Sequence, residues 1–141
     1  MKTIRVVAAI IQKDGKILAT QRGYGAYKDY WEFPGGKIET GETPEEALIR
    51  EIREELSATV RIERFLTTME YDYPEFRLSM DCFLCTVAQG RLELLEHESA
   101  CWLGSDQLRD VNWLPADLLV IDRLEGCGTS DPETDAKGLT T

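Results

Sequence analysis

Residues 43–56 constrain the fold more than any other part of this sequence, because they specify one helix from its first turn to its last. Thr43 is a favourable N-cap, Pro44 fits the first helical position, and Glu46 stands where a capping box needs an acidic side chain. Acidic residues in the first turn also complement the positive end of the helix dipole. The sequence therefore predicts a helix from about residue 44 to residue 56.

The apolar and acidic residues of this helix fall on adjoining parts of its surface. With about 100° between successive residues, the apolar side chains form one arc that we expect to pack on a sheet. That arc consists of Leu48, Ile49, Ile52 and Leu56. Glu51, Glu54 and Glu55 lie beside it, so three carboxylates share one side of the helix. Carboxylates placed this close together repel one another and favour protonation.

The helix alone allows two interpretations of this acidic arc. Glu46 and Arg50, like Arg50 and Glu54, are spaced as the i,i+4 ion pairs that are common on solvated helix faces. Alternatively, a divalent cation removes the repulsion. Magnesium prefers hard oxygen ligands and often bridges carboxylates to the phosphates of a substrate.

The residues before the helix favour the cation. Gly36 is followed after five residues by Glu42, after seven more by Arg50-Glu51-Ile52, and after one more by Glu54-Glu55-Leu56. This spacing resembles the Nudix box, a signature of fixed positions of which the chain satisfies all but one. The exception is Ser57, where the family has a glycine. We expect Ser57 to adopt a left-handed turn or to shift the helix end, at a cost of about 1 kcal/mol.

The resemblance extends over residues 3–125 and is greatest to the MutT-like branch, which is similar in the run Glu32-Phe33-Pro34-Gly35-Gly36-Lys37 as well. It implies an α/β/α sandwich around a mixed sheet. It also implies hydrolysis of a nucleoside diphosphate linked to another moiety, with water attacking a phosphorus of the polyphosphate.

The resemblance also implies a metal site. Glu51, Glu54 and Glu55 would bind Mg²⁺, or alternatively Mn²⁺, together with the backbone carbonyl of Gly35. Arg50 would orient these carboxylates, and a simple helix salt bridge is compatible with that role.

A general base is expected outside the helix. Glu96 matches a loop glutamate that reaches the metals in MutT-like enzymes, so we expect it to act as a further ligand or as the base. His97 is the only histidine of the chain and is the alternative.

Substrate-binding residues are expected in loops, by the same resemblance. Arg22 follows the second strand, where MutT-like proteins use an arginine on the substrate phosphates. Phe33 and Tyr73, with Trp31 as a further candidate, would stack on a nucleobase. Asp117 would accept from or donate to the base edge, or would serve only as an acidic residue of a first helical turn. The substrate-binding candidates are Arg22, Glu32, Phe33, Pro34, Gly35, Gly36, Lys37, Tyr73 and Asp117.

Composition limits the partners of the chain. The net charge is −10, from 16 Lys and Arg against 26 Asp and Glu, and no basic cluster is present. We therefore expect no nucleic-acid polymer as partner, and an anionic small substrate needs a bridging cation. No apolar run is long enough for a membrane span and no export signal is evident, so we expect a cytoplasmic protein, either a monomer or a homodimer.

The four cysteines predict buried free thiols. Cys82 and Cys85 lie in an apolar strand-like run, where a spacing of three places them on opposite faces rather than at one metal. Cys101 and Cys127 complete the set.

Strand patterns and turn signals predict one domain over residues 1–126 and a disordered tail over residues 127–141. We expect α+β architecture, with a mixed sheet flanked by helices. The expected strands are 3–12, 16–21, 58–70, 76–88 and a short one over 91–95. Residues 22–34 are expected to form a loop around a ligand, and helices are expected over 106–110 and from Pro115 to Gly126.

These observations and the resemblance lead to one expected function. It is a magnesium-dependent nucleoside triphosphate pyrophosphohydrolase that releases a nucleoside monophosphate and pyrophosphate. The expected substrates are 8-oxo-dGTP, as in a nucleotide-pool sanitiser, or a CTP-type nucleotide. The alternatives are an ADP-ribose-type pyrophosphatase for nucleoside-diphosphate sugars, and a catalytically silent Nudix domain that senses nucleotides. Such silent domains usually lose a metal glutamate, whereas this chain keeps Glu51, Glu54 and Glu55.

Overall fold

The computed structural model describes the backbone of residues 1–130 and the side chains of residues 1–125. Within them, the chain forms seven strands and two helices. These are β1 (Thr3–Lys13), β2 (Lys16–Gln21), β3 (Trp31–Glu32), β4 (Gly35–Lys37), α1 (Pro44–Leu56), β5 (Thr59–Asp72), β6 (Arg77–Gln89), β7 (Ser99–Leu103) and α2 (Pro115–Ser130). No helix within residues 1–130 has the length and apolar character needed to cross a membrane.

The sheet is mixed, and β1 is its central strand. β1 runs parallel to β6 over residues 3–11 and antiparallel to β4, while its last residues continue into the hairpin with β2. β5 pairs antiparallel with β6, and β2 carries both β3 and β7. The predicted α+β fold with a mixed sheet is therefore confirmed.

Two separate cores lie on opposite faces of the sheet, because alternate residues of β1 point to opposite sides. Ala8 and Ile10 pack in a core with residues of α2, whereas Val7 and Ala9 pack in a core with residues of α1. This arrangement places one helix on each face. Cys82 and Cys85 belong to different cores and both are buried free thiols, as the sequence predicted. Cys101 is a free thiol but only partly buried, contrary to the prediction, and the side chain of Cys127 lies outside the described residues.

Helix α1 has the predicted bounds and caps. The Thr43 hydroxyl accepts the Glu46 backbone N–H, and the Glu46 carboxylate accepts the Thr43 backbone N–H. At the other end Ser57 adopts the left-handed conformation (φ 60°, ψ 25°) and its N–H bonds to the carbonyl of Arg53. The serine thus forms the turn that glycine forms in the signature, and the helix end does not shift.

The predictions for two elements are wrong, because their backbone groups form hydrogen bonds with other parts of the chain. Residues 91–95 form no strand; the N–H groups of Glu93 and Leu95 bond to the carbonyls of Leu56 and Glu55, which the end of α1 leaves unpaired. Residues 106–110 form turns rather than a helix, and the carbonyl of Leu108 accepts the indole N–H of Trp113 instead of a helical N–H.

Three unpredicted strands and one helix boundary also differ from the prediction. Within the predicted loop 22–34, Trp31 and Glu32 pair with β2, and Gly35–Lys37 and Ser99–Leu103 form strands where none was predicted. Helix α2 continues to Ser130 instead of ending at Gly126, because a glycine inside a helix costs only about 1 kcal/mol. The remainder of the predicted tail, residues 131–141, lies outside the described residues.

Candidate active site

Two glycines of β4 allow the backbone to pass directly over the end of helix α1. A Cβ atom on Gly36 would collide with the carboxylate of Glu51, and one on Gly35 would collide with the carbonyl oxygen of Val7 in β1. The N–H of Gly35 donates to Oε1 of Glu55 at 3.3 Å. The glycines therefore bring the backbone of β4 and the carboxylates of α1 into one place.

Arg50 gathers three of the surrounding carboxylates. Its guanidinium binds Glu42 through two hydrogen bonds, from Nε to Oε2 at 2.6 Å and from Nη2 to Oε1 at 3.0 Å. Its Nη1 also donates to Glu51 at 3.0 Å and to Glu54 at 3.1 Å, while Nη2 holds the carbonyl of Lys37 at 3.0 Å. Arg50 thus forms the i,i+4 helix ion pair with Glu54 and also hydrogen-bonds Glu51, a second carboxylate of the acidic arc.

The three glutamates of the acidic arc differ in burial. The side chain of Glu51 is 16% exposed and that of Glu54 is 56% exposed, so Glu54 lies at the solvent edge. Burial, followed by the carboxylates of Glu51 and Glu32, raises the pKa of Glu55 to about 9. Burial also raises the pKa of Glu51, although Arg50 opposes that rise. Glu55 is therefore protonated at neutral pH unless a cation takes the place of the proton.

A cavity of about 460 Å³ opens beside this junction, a volume within the range of roughly 300–1,000 Å³ that is usual for small-molecule sites. Most of the residues predicted for the site line it. These are Arg22, Glu32, Phe33, Gly35, Gly36, Lys37, Glu55, Tyr73, Glu96 and Asp117. Four predicted residues do not line the cavity: Pro34, Arg50, Glu51 and Glu54. Pro34 is buried, the Glu51 carboxylate lies behind Gly36, and Glu54 lies at the solvent edge.

Aromatic rings form part of the cavity wall. Tyr73 stacks on Phe76 with ring centroids 5.2 Å apart and meets Tyr27 edge-on at 5.7 Å. Its hydroxyl accepts the backbone N–H of Ala116 at 3.3 Å, and burial raises its pKa to about 12, so it stays neutral. Phe33 lies against Trp113 at 4.7 Å and also reaches the cavity.

Asp117 also lines the cavity and is almost fully buried. Its Oδ1 accepts the backbone N–H of Phe33 at 2.9 Å. Burial, opposed in part by that hydrogen bond, raises the pKa of Asp117 to about 8. The carboxyl group is therefore neutral at pH 7, and Oδ2 can carry a proton to donate.

Glu32 joins two other cavity residues. Its Oε1 accepts from Nη2 of Arg22 at 2.7 Å, and its Oε2 lies 3.2 Å from Nε2 of His97. Burial alone would raise the pKa of Glu32, but the hydrogen bonds from His97 and Arg22 hold it below its usual value. Glu32 is therefore a carboxylate, and its two oxygens are held by different partners.

The signature and this geometry agree with what comparison with known proteins finds. The family model of the NUDIX domain matches residues 1–124. The chain belongs to the NUDIX family. The CTP pyrophosphohydrolase of Escherichia coli K12 is 32% identical over 123 residues, which cover 86% of this chain and 91% of that protein. The 8-oxo-dGTP diphosphatase of Proteus vulgaris is 35% identical over 105 residues, 73% of this chain and 92% of that protein. The solution structure of the E. coli ORF135 protein matches with a TM-score of 0.80 and 31% identity, covering 94% of this chain and 95% of that one.

Membership makes the chain a Nudix hydrolase, and Nudix hydrolases generally use divalent metals. The residues of this chain fit such an ion in their chemistry. Hard cations prefer carboxylate oxygens, and burial raises the pKa of both Glu51 and Glu55 because it disfavours negative charge that a cation would offset. Among the side chains described, those of residues 1–125, no three from His, Cys, Asp or Glu are placed to hold a metal ion as they stand. Arg50 draws Glu51 and Glu54 to itself, while Glu55 faces Gly35.

Several residues of the Nudix cavity were not predicted from the sequence. They include Tyr24, Tyr27, Phe76, Leu78 and Met80. Tyr24 and Tyr27 stand in the loop that the sequence indicated would surround a ligand. Leu78 and Met80 alternate along β6 and Phe76 directly precedes it, a period-two signal that marks one face of a strand. Trp31 does not line the cavity; its backbone binds Asn112 and Leu114 and so fixes the start of α2.

Proposed function

We propose that this Nudix hydrolase is a magnesium-dependent nucleoside triphosphate pyrophosphohydrolase that releases a nucleoside monophosphate and pyrophosphate. Its substrates are 8-oxo-dGTP or a CTP-type nucleotide, and its role is that of a MutT-like nucleotide-pool sanitiser. It acts in the cytoplasm as a monomer or a homodimer, without a nucleic-acid polymer as partner.

The observation that carries this proposal is that charged and aromatic groups line one cavity. Its lining includes the carboxylates of Glu55 and Glu96, the guanidinium of Arg22, the ring of Tyr73 and the carboxyl group of Asp117. The charged groups suit a triphosphate with its counter-ion, and the aromatic groups suit a nucleobase. The names of the relatives, a CTP pyrophosphohydrolase and an 8-oxo-dGTP diphosphatase, support the same substrate class.

Each residue then has a defined task. Glu51, Glu54, Glu55 and the carbonyl of Gly35 would hold the cation, which would supply positive charge against the phosphates and make water a better nucleophile. Glu96 lines the same cavity and serves as a further ligand or as the general base. Arg22 binds the phosphates.

Two further tasks concern the base and the carboxylates. Phe33 and Tyr73 form the wall against the base, and Asp117 contacts its edge. Arg50 keeps Glu51 and Glu54 in place through its hydrogen bonds.

The test is a panel of nucleoside triphosphates, ADP-ribose and nucleotide sugars with Mg²⁺, ranked by kcat/KM. We expect pyrophosphate and a nucleoside monophosphate from 8-oxo-dGTP or CTP, and a rate for ADP-ribose at least about tenfold lower. Release of inorganic phosphate from triphosphates, or a preference for ADP-ribose, would contradict the proposal. Tight nucleotide binding with no turnover of any substrate would favour a nucleotide-sensing domain instead.

Wild-type protein is expected to lose stability relative to Asp117→Asn as the pH rises toward 8. The usual aspartate value is 3.8, and the pKa of Asp117 in the folded protein is raised to about 8. The contribution of the protonated Asp117 carboxyl group to the free energy of unfolding is thus complete below pH 3.8. Above that the unfolded carboxyl ionises first, so the free energy of unfolding falls by at most about 1.4 kcal/mol per pH unit until pH 8. Urea denaturation of both proteins at pH 5, 7 and 9 measures the difference.

The same ionisation bears on base selectivity. Asn at position 117 still accepts the Phe33 N–H and always offers a donor, so it matches the protonated aspartate. We expect the ratio of kcat/KM for 8-oxo-dGTP to that for CTP to change through pH 8 in wild type and to stay level in Asp117→Asn. Using a ratio removes ionisations that affect both substrates equally, and parallel curves for the two proteins would separate Asp117 from base recognition.

A further inference from the structure

We propose that His97 is a positioning residue that acts through Glu32 to hold Arg22 in its substrate-binding orientation. This rests on the proposed function in one respect, the contact of Arg22 with the substrate phosphates. The connection is direct: Nε2 of His97 lies 3.2 Å from Oε2 of Glu32, and Oε1 of Glu32 accepts from Nη2 of Arg22 at 2.7 Å.

Protonation fixes the direction of these hydrogen bonds. The pKa of Glu32 is held below its usual value, so its carboxylate only accepts, and His97 must donate from Nε2. Arg22 uses Nη2 for Glu32 and Nη1 for the carbonyl of Ala26 at 3.2 Å. With two of its donors held by protein, the plane of the guanidinium is set and its other N–H groups remain for the cavity that it lines. Removing His97 frees one oxygen of a mostly buried carboxylate and lets Glu32 and Arg22 rotate together.

His97 is poorly suited to a purely structural task. Its side chain is only 6% exposed, yet within the described residues its buried Nδ1 has no hydrogen-bond partner. An unpaired buried nitrogen lowers stability, because that group loses its hydration and gains no hydrogen bond in return. Within the described residues, the polar contact of the His97 ring is therefore the one from Nε2 to Glu32.

The neighbours of His97 reach the same loop. Glu96 lies 3.3 Å from the hydroxyl of Tyr24, and Glu98 lies 3.4 Å from Nζ of Lys28. A Cβ on Gly23 would lie 3.3 Å from the backbone of both Glu96 and Glu98, so the two segments pack closely. Three consecutive residues thus contact residues 22–32 at three places, and only the middle contact leads to Arg22.

The two amides that resemble histidine separate the proposal from a general packing effect. The amide nitrogen of Gln occupies nearly the place of Nε2, whereas that of Asn occupies nearly the place of Nδ1 and does not reach Glu32. We expect His97→Asn to raise KM for 8-oxo-dGTP and CTP roughly tenfold with little change in kcat, because binding common to the ground and transition states is lost. His97→Gln is expected to restore most of the affinity. Equal KM values in wild type and His97→Asn, or failure of Gln to rescue, would overturn the proposal.

A double-mutant cycle with Arg22→Ala identifies the route of the effect. If His97 acts through Arg22, then His97→Asn changes KM little once Arg22 is absent; losses that simply add would contradict it. Lys28→Ala is the matched control, because it breaks the neighbouring bridge between the same two segments, and its KM is expected to equal that of wild type.

The cycle is also measured by calorimetry with an α,β-methylene triphosphate and Mg²⁺, which reports binding without turnover. The proposed function fails if wild type releases no pyrophosphate from any triphosphate. The role of His97 fails if wild type turns over normally while the cycle is additive. The two failures are therefore distinct.

Discussion

Glu55→Gln is expected to lower kcat for pyrophosphate release by at least about 100-fold. The glutamine keeps the size of the side chain and can still accept the N–H of Gly35, but it carries no negative charge for a cation. The fold is expected to be at least as stable as in wild type, because burial and the carboxylates of Glu51 and Glu32 oppose ionisation of Glu55 in the folded state. A large loss of activity without loss of stability identifies a functional carboxylate. Steady-state kinetics and urea denaturation at pH 7 measure the two quantities.

Metal affinity gives a second reading that does not depend on turnover. We expect Mn²⁺ to bind Glu55→Gln at least about tenfold more weakly in a calorimetric titration. Glu54→Gln is also expected to lose activity, although in this structure the Glu54 carboxylate is bound by Arg50 and exposed to solvent. Glu45→Gln is the matched control, since Glu45 is an exposed residue of the first turn of the same helix. Unchanged turnover and metal affinity in both Glu54→Gln and Glu55→Gln would show that the metal is bound elsewhere.

Gly36→Ala is expected to abolish most activity at a modest cost in stability. The new Cβ would occupy the space of the Glu51 carboxylate, which is the movable end of a side chain, so the carboxylate is displaced rather than the backbone. We expect kcat to fall at least about 100-fold, as for loss of a metal ligand, while the free energy of unfolding falls by about 1 kcal/mol. Pyrophosphate release and urea denaturation give the comparison.

Gly35→Ala provides the contrast on the adjacent residue. Its Cβ would meet the carbonyl oxygen of Val7 and lie 2.9 Å from the Cα of Ala8, both of which are backbone atoms of the central strand. Backbone cannot turn aside as a side chain does, so we expect a loss of at least about 2 kcal/mol in the free energy of unfolding. Equal stability losses in the two variants would show that Glu51 is as rigidly placed as the strand.

Local contacts explain what could be predicted from the sequence alone. Helix α1 was predicted with its capping box and its bounds, because the Thr43–Glu46 bonds join residues only three apart. The hairpin at Asp14 and Gly15 was predicted for the same reason, and both residues have the positive φ that such turns require. The spacing of the Nudix signature identified the family and, among the residues that line the cavity, Gly36 and Glu55, since each signature residue has a fixed place on one strand–loop–helix unit.

Contacts between distant residues were decided only by the tertiary structure. His97 meets Glu32 across 65 positions and Asp117 meets Phe33 across 84, so no local pattern indicates either pair. The same holds for residues 91–95. Their pattern suggests a strand, but two of their N–H groups donate hydrogen bonds to the carbonyls at the end of α1. The sequence by itself determined which carboxylates lie on one side of a helix. Which of them is buried, which is held by Arg50 and which faces the cavity depended on the elements packed around that helix, because burial and competition for hydrogen-bond partners belong to the whole fold.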